Sequence, residues 1–185
     1  MTLTGLQLAQ MPHKAEPPPY EGSLLLQIHA QGGGDSLHAL AADADGNLSA
    51  RVLQGTIRAS LAELTGVDLR GLGLTLTGSS RDVAVHCAAA DFEIHSGVMH
   101  STRLFIDSEP VFISGEGRVL LDSEMVDLKL HGEPKRLRIL RIKAPLLVQG
   151  TLLQPRFSVD VADSGLRLVD RGTPHNADCA ALQLR

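Results

Sequence analysis

The chain has 185 residues, of which 43% are hydrophobic and 21% charged, the composition of one ordinary globular domain, which excludes a disordered or collagen-like polymer. Its five aromatic residues (Tyr20, Phe92, Phe105, Phe112 and Phe157) and its lack of tryptophan leave the core to Leu, Val, Ile and Ala and nearly exclude base stacking. A net charge of −4 gives no overall attraction to phosphate backbones, so no nucleic-acid partner is expected.

Pro12 and Pro17 to Pro19 hold the first segment extended, and residues 1–20 are expected to be a Pro-rich lead-in. No basic residue precedes Lys14, so the start lacks the pattern of an export signal. No stretch free of Asp, Glu, Lys and Arg exceeds 13 residues, the length of the run from Gly22 to Gly34. A membrane-spanning helix needs about 18 to 20 apolar residues, so the chain as written is expected to carry neither signal nor anchor.

Ser23 to Ala30 is a short apolar run bounded by glycines and reads as a strand. Asp35 or Ser36 can cap a helix through Leu37, Leu40, Ala41 and Ala44, with Gly46 placed as its left-handed stop. Asn47 to Leu53 alternates like a strand. Thr56 is expected to cap a second helix through Ile57, Leu61 and Leu64, ending at Gly66.

From Leu72 onward the period becomes two: Leu72, Leu74 and Leu76; Val83 and Val85; Phe92 and Ile94; Leu104 and Ile106; Val111 and Ile113; Val119 and Leu121; then Val126, Leu128 and Leu130. Such alternation describes strands with one apolar and one polar face. Turn residues recur between them, at Gly97, Asp107 to Pro110, Gly115 to Gly117, Asp122 to Glu124, Gly132 to Pro134 and Gly150, which implies a meander of antiparallel hairpins. Leu146 to Leu153, Phe157 to Val161 and Leu166 to Val169 complete the expected strands. The predicted class is mainly β (α+β), antiparallel, with two short helices near the N-terminal side. Residues 21–169 form the domain and residues 170–185 a polar tail.

Motifs for hydrolases, zinc proteases, P-loops and dinucleotide binding are absent. The segment Asp43 to Asn47 resembles a calcium loop but lacks its third acidic position and has Gln54 at position twelve, so a helix end is the better reading. His86, Cys87, His95 and His100 lie close in sequence, yet His95 falls on the polar side of a strand and His100 beyond the Gly97 turn, so no metal site is expected. Glu116, Asp122 and Glu124 belong to turns where water holds them ionised. No catalytic residue and no cofactor is predicted. Cys87 and Cys179 are too few for a disulfide scaffold and lack zinc spacing; they could pair or remain two buried thiols.

The charge changes sign along the chain. Asp107 to Asp127 holds six carboxylates against Arg118, a balance of −5, whereas Lys135, Arg136, Arg138, Arg141 and Lys143 against Glu133 give +4. These five cations are a candidate contact for anionic headgroups, each contributing about 1 kcal/mol near an anionic membrane. Guarding of an edge strand against strand addition accounts for them equally well.

The ordered series HCAAADFEIHSGV, LFIDSEPVFISGEGRV, VDLKLHGEPK and IKAPLLVQGTLLQP, with ADCAAL near the end, resembles the C-terminal region of the AsmA family of bacterial envelope proteins. GGGDSLHALAADADGNLSARVLQGTI resembles the stretch before that block, so the likeness runs from about Gly22 to the C-terminus. The resemblance implies a curved, groove-like β-sheet, no enzymatic activity, and a location on the periplasmic side of the inner membrane. It also implies a role in outer-membrane biogenesis and phospholipid homeostasis, with acyl chains in an apolar β-lined groove. The alternative is a capping or docking module of a longer envelope assembly that does not itself bind lipid. Expected partners are accordingly phospholipid, a membrane surface or other envelope proteins. In a periplasmic setting the resemblance makes a Cys87–Cys179 disulfide a reasonable expectation.

Overall fold

The computed structural model describes residues 2–7, 20–57, 82–135, 141–160, 165–167 and 177–182. The elements are β1 (Thr2–Gln7), β2 (Tyr20–Gln31), α1 (Leu37–Ala42), β3 (Asp45–Ile57), β4 (Val83–His95), β5 (Val98–Ser108) and β6 (Val111–Leu120). They are followed by β7 (Met125–Pro134), β8 (Arg141–Lys143), β9 (Leu146–Thr151), β10 (Gln154–Val159), β11 (Gly165–Arg167) and a 3-10 turn, Cys179–Leu182. Nine strands form one sheet in the order β1-β2-β3-β4-β5-β6-β7-β9-β10, and β8 leaves the meander to pair with β11. Each neighbouring pair is antiparallel. Turn residues between alternating segments produce this outcome, because a short reversal can join only antiparallel neighbours.

Several expectations are corrected. The sheet is not strongly curled, so the predicted curvature is absent. Thr56 and Ile57 continue β3, paired with Ala84 and Val83, instead of starting a helix. Their β-branched side chains suit a pleated ladder. The rest of that predicted helix and the Leu72 to Leu76 strand lie outside the described residues. Thr2–Gln7, within the expected lead-in, forms an edge strand on β2.

The helix α1 begins as predicted: Ser36 is extended and its Oγ accepts from the Ala39 N–H at 3.1 Å. It ends earlier, at Ala42 with Asp43 as its cap. Gly46 is a strand residue instead of the helix stop. Its φ is +152°, and a Cβ there would lie 2.0 Å from the His29 carbonyl oxygen, so close strand approach explains the glycine. One end of the sheet is laced by main-chain bonds of 2.9 Å from Gly97 to Ala44, Leu121 to Gly97 and Leu152 to Glu124.

Register sorts the side chains onto two faces. Ile28, Leu48 and Phe92 pair in sequence across β2, β3 and β4, as do Leu26, Ala50 and Ala90. Farther across, Met99, Val119 and Val126 align, as do Leu128, Val148 and Phe157. The core is this face: Ala44, Phe92, Ile94, Met99, Val119, Val126 and Val148 form one buried cluster, flanked by Leu48, Leu128, Leu130 and Phe157. The opposite face carries Ser49, Arg51, Asp91, Arg103, Arg118, Asp127 and Lys129, an alternation expected for an antiparallel sheet with unlike environments. The C-terminal 3-10 turn packs against β3 and β4.

Candidate functional site

The apolar face is the first candidate surface. It extends across the sheet because neighbouring strands set hydrophobic residues opposite one another on either side of the register shifts in β2–β3, β4–β5 and β5–β6, and an uncompensated slip of one residue would turn a strand's set to the other side. Two glycines narrow it. At Gly115 an added Cβ would lie 2.5 Å from Leu130 Cδ2 and 2.8 Å from Leu104 Cδ2, so leucine tips occupy the space that a side chain would take. Gly117 has φ +146° and donates its N–H to Ser101 Oγ at 2.9 Å. Hydrophobic side chains also project at one end of the sheet: Leu152 is 53% exposed, Leu153 85% and Met125 41%.

The polar face has a charged centre. Arg51 is buried, and its Nη1 lies 2.5 Å from Asp91 Oδ1; Arg103 Nε donates to Asp91 Oδ2 at 2.6 Å and Ser49 Oγ to Oδ1 at 2.7 Å. Partial burial pushes the Asp91 carboxyl up. The opposing hydrogen bonds from Arg51, Ser49 and Arg103, with the charge of Arg51, outweigh it and hold the group below its ordinary 3.8. Arg51 Nε is buried with no hydrogen-bond partner. Farther along this face, Gln149 Nε2 donates to Asp127 at 3.1 Å, and Lys129 Nζ lies 3.2 Å from Asp160.

A second polar centre surrounds Asp107, which is 1% exposed. Its Oδ2 accepts the Ala177 N–H at 2.9 Å, and its Oδ1 binds Lys135 Nζ. Cys87 and Cys179 are joined beside it by a disulfide that spans 92 positions of sequence, with Cα atoms 5.8 Å apart. The 3-10 turn is thereby tied to the sheet, where Leu182 packs with Cys87 and Ala89.

Of the five cations proposed to meet headgroups, Lys135 is turned into the protein, with a side chain 10% exposed and bound to Asp107. Arg141 and Lys143 lie on β8. Arg136 and Arg138, like the side chains of Arg141 and Lys143, fall outside the described residues. Asp122 and Glu124 are exposed in the β6–β7 turn, whereas Glu116 is an exposed residue of β6, where Gly115 to Gly117 pair with Leu130 to Leu128 of β7 instead of forming the expected turn. Of the residues close in sequence, His95 sits 3.7 Å from Asp45, whereas His86 lies 3.9 Å from the Asp107 carboxylate beside Cys87. Neither Arg51 with Asp91 nor Asp107 was singled out from the sequence. Asp91 and Arg103 face one another across the β4–β5 hairpin because the register shifts between Phe92–Ser101 and Asp91–Arg103; counting outward from Ser96–Gly97 sets Asp91 opposite Thr102, so the sequence carries no direct signal for this pair.

No family model matches the chain, and no solved structure matches it significantly. Over 129 residues, 70% of the chain, it is 31% identical to the AsmA family protein YhjG of Escherichia coli (strain K12). The chain spans 19% of the length of that relative. At that identity, over more than two thirds of its length, the chain belongs to the AsmA family.

Proposed function

We propose that the chain is a non-enzymatic cell-envelope module on the periplasmic side of the inner membrane, serving outer-membrane biogenesis and phospholipid homeostasis. In this reading it holds acyl chains against its apolar sheet face. The observation that carries the proposal is the row of half-buried aliphatic and aromatic side chains on this face, from Leu26 and Ile28 on β2 through Leu48 on β3 and Leu128 on β7 to Phe157 on β10. Acyl chains need a dry, non-directional surface and no catalytic group, and removing apolar area from water supplies about 25 cal/mol per Å². Among the described residues no helix is long and apolar enough to cross a membrane.

The test is native mass spectrometry with lipid extraction on protein purified from bacterial periplasm without detergent. Stoichiometric phospholipid is expected. A clean apo mass would overturn acyl-chain binding and favour the second reading, a capping or docking module for other envelope proteins. That reading draws on Leu152, Leu153 and Met125, exposed together at the β6–β7 and β9–β10 turns. Headgroup contact by the basic segment is tested separately: changing Arg136, Arg138 and Arg141 to Ser is expected to weaken binding to anionic vesicles, and unchanged binding would remove that role.

A further inference from the structure

The centre around Asp107 contains a donor set that neither the lipid reading nor the family relationship uses. Cys87, Asp107 and Cys179 each place a ligand-type atom within 4.8 Å of the others. His86 joins them because of a bulge. Val85 pairs with Ser108 and Cys87 with Asp107, so β4 advances two residues where β5 advances one, and His86 is the extra residue. Bulges re-aim side chains, and His86 Nδ1 lies 3.9 Å from Asp107 Oδ1. Two sulfurs, an imidazole nitrogen and a carboxylate oxygen are each zinc ligand types, and four of them are what a tetrahedral site needs.

We propose that the chain with its Cys87–Cys179 bond reduced holds a zinc-type divalent ion between Cys87, Cys179, Asp107 and His86. Reduction consumes two thiols of a reductant, which leave as that reductant's disulfide, and yields two protein thiols. Ion binding then releases both thiol protons to water, with no change in the metal's oxidation state. Two thiolates, the Asp107 carboxylate, the Lys135 ammonium and a dication sum to zero charge, which suits a centre whose carboxylate is 1% exposed. The sulfurs must separate to about 3.8 Å for metal–sulfur bonds of about 2.3 Å. Cys179 belongs to a four-residue turn that pairs with no strand, so the displacement falls on the turn and not on a sheet ladder. In the oxidised chain, the form that a periplasmic setting favours, both sulfurs are bonded and the site is closed; metal capacity arises only where a thiol reductant has opened that bond.

The experiment titrates the full chain with Zn2+ and Co2+, oxidised and after reduction by a phosphine, and records native mass, cobalt absorption and far-UV circular dichroism. Expected are equimolar Zn2+ and a thiolate-to-cobalt charge-transfer band in the reduced chain, and neither in the oxidised one. His86→Ala and Asp107→Asn are each expected to weaken zinc binding by about 10-fold or more. His86 is half exposed, so its variant keeps the test open should Asp107→Asn fail to fold. Three results would overturn the proposal: no charge-transfer band after reduction, zinc affinity unaffected by His86→Ala, or loss of the strand signal on reduction. In the last case the thiols alone would be binding metal, since only the folded sheet brings His86 and Asp107 together.

Discussion

Arg51 on β3 and Asp91 on β4 form the charged centre of the polar face, with Arg51 Nη1 2.5 Å from Asp91 Oδ1 and only 5% and 14% of the two side chains exposed. They are not direct register partners, since Asp91 pairs with Ser49 and Arg51 with Ala89. The diagonal reach lets Arg103 take the other carboxylate oxygen from the β5 side. One carboxylate thereby ties three adjacent strands together.

Removing that carboxylate leaves a buried guanidinium without its counter-charge. Asp91→Ala is expected to destabilise the fold by about 3 to 5 kcal/mol, the cost of breaking a buried pair from one side. Arg103→Ala, which removes a half-exposed partner, should cost at most about 1 kcal/mol. Urea denaturation of the variants checks the order.

The same carboxylate predicts an acid dependence. Its folded-state pKa lies below 3.8, so just below that value the unfolded chain binds the proton more readily than the native one. The stabilisation is present in full above about pH 4 and is lost as pH falls through the folded value. Asp91→Asn should therefore lose less stability than the wild type between about pH 4 and pH 2. Equal slopes in acid-unfolding curves would contradict the assignment.

The disulfide closes a loop of 92 positions. In the chain-entropy model such a closure stabilises by about 4.6 kcal/mol. Reduction, or Cys87→Ser with Cys179→Ser, is expected to lower the urea midpoint accordingly. Leu182 should then become more open to carboxypeptidase, because Cys179 ties its turn to β4.

Two glycines on one strand should respond differently to alanine. Gly117 has φ +146°, and its Cβ would lie 2.1 Å from the Asp127 carbonyl oxygen, so both backbone strain and a main-chain clash oppose substitution. Gly117→Ala is expected to cost roughly 2 kcal/mol or more. Gly115 would meet only leucine side-chain atoms, which can rotate away, and Gly115→Ala should be the milder change. Thermal unfolding of the two variants tests this.

The meander was legible in the sequence because alternation and turn chemistry are local: Phe92 and Ile94 against Glu93 and His95, reversed at Ser96–Gly97, specify two strands and the hairpin between them. The Ser36 cap was legible for the same reason. Tertiary structure alone decided the rest. Thr56 and Ile57 have residue types compatible with either a helix start or a strand, and ladder bonds to Ala84 and Val83 select the strand. Lys135 looks like one of five equivalent surface cations until β5 brings the buried Asp107 against it. Likewise, the bulge that points His86 toward that carboxylate depends on the register between β4 and β5. A sequence pattern specifies which face a strand buries, but which charges meet across that face depends on pairings between residues far apart in the chain.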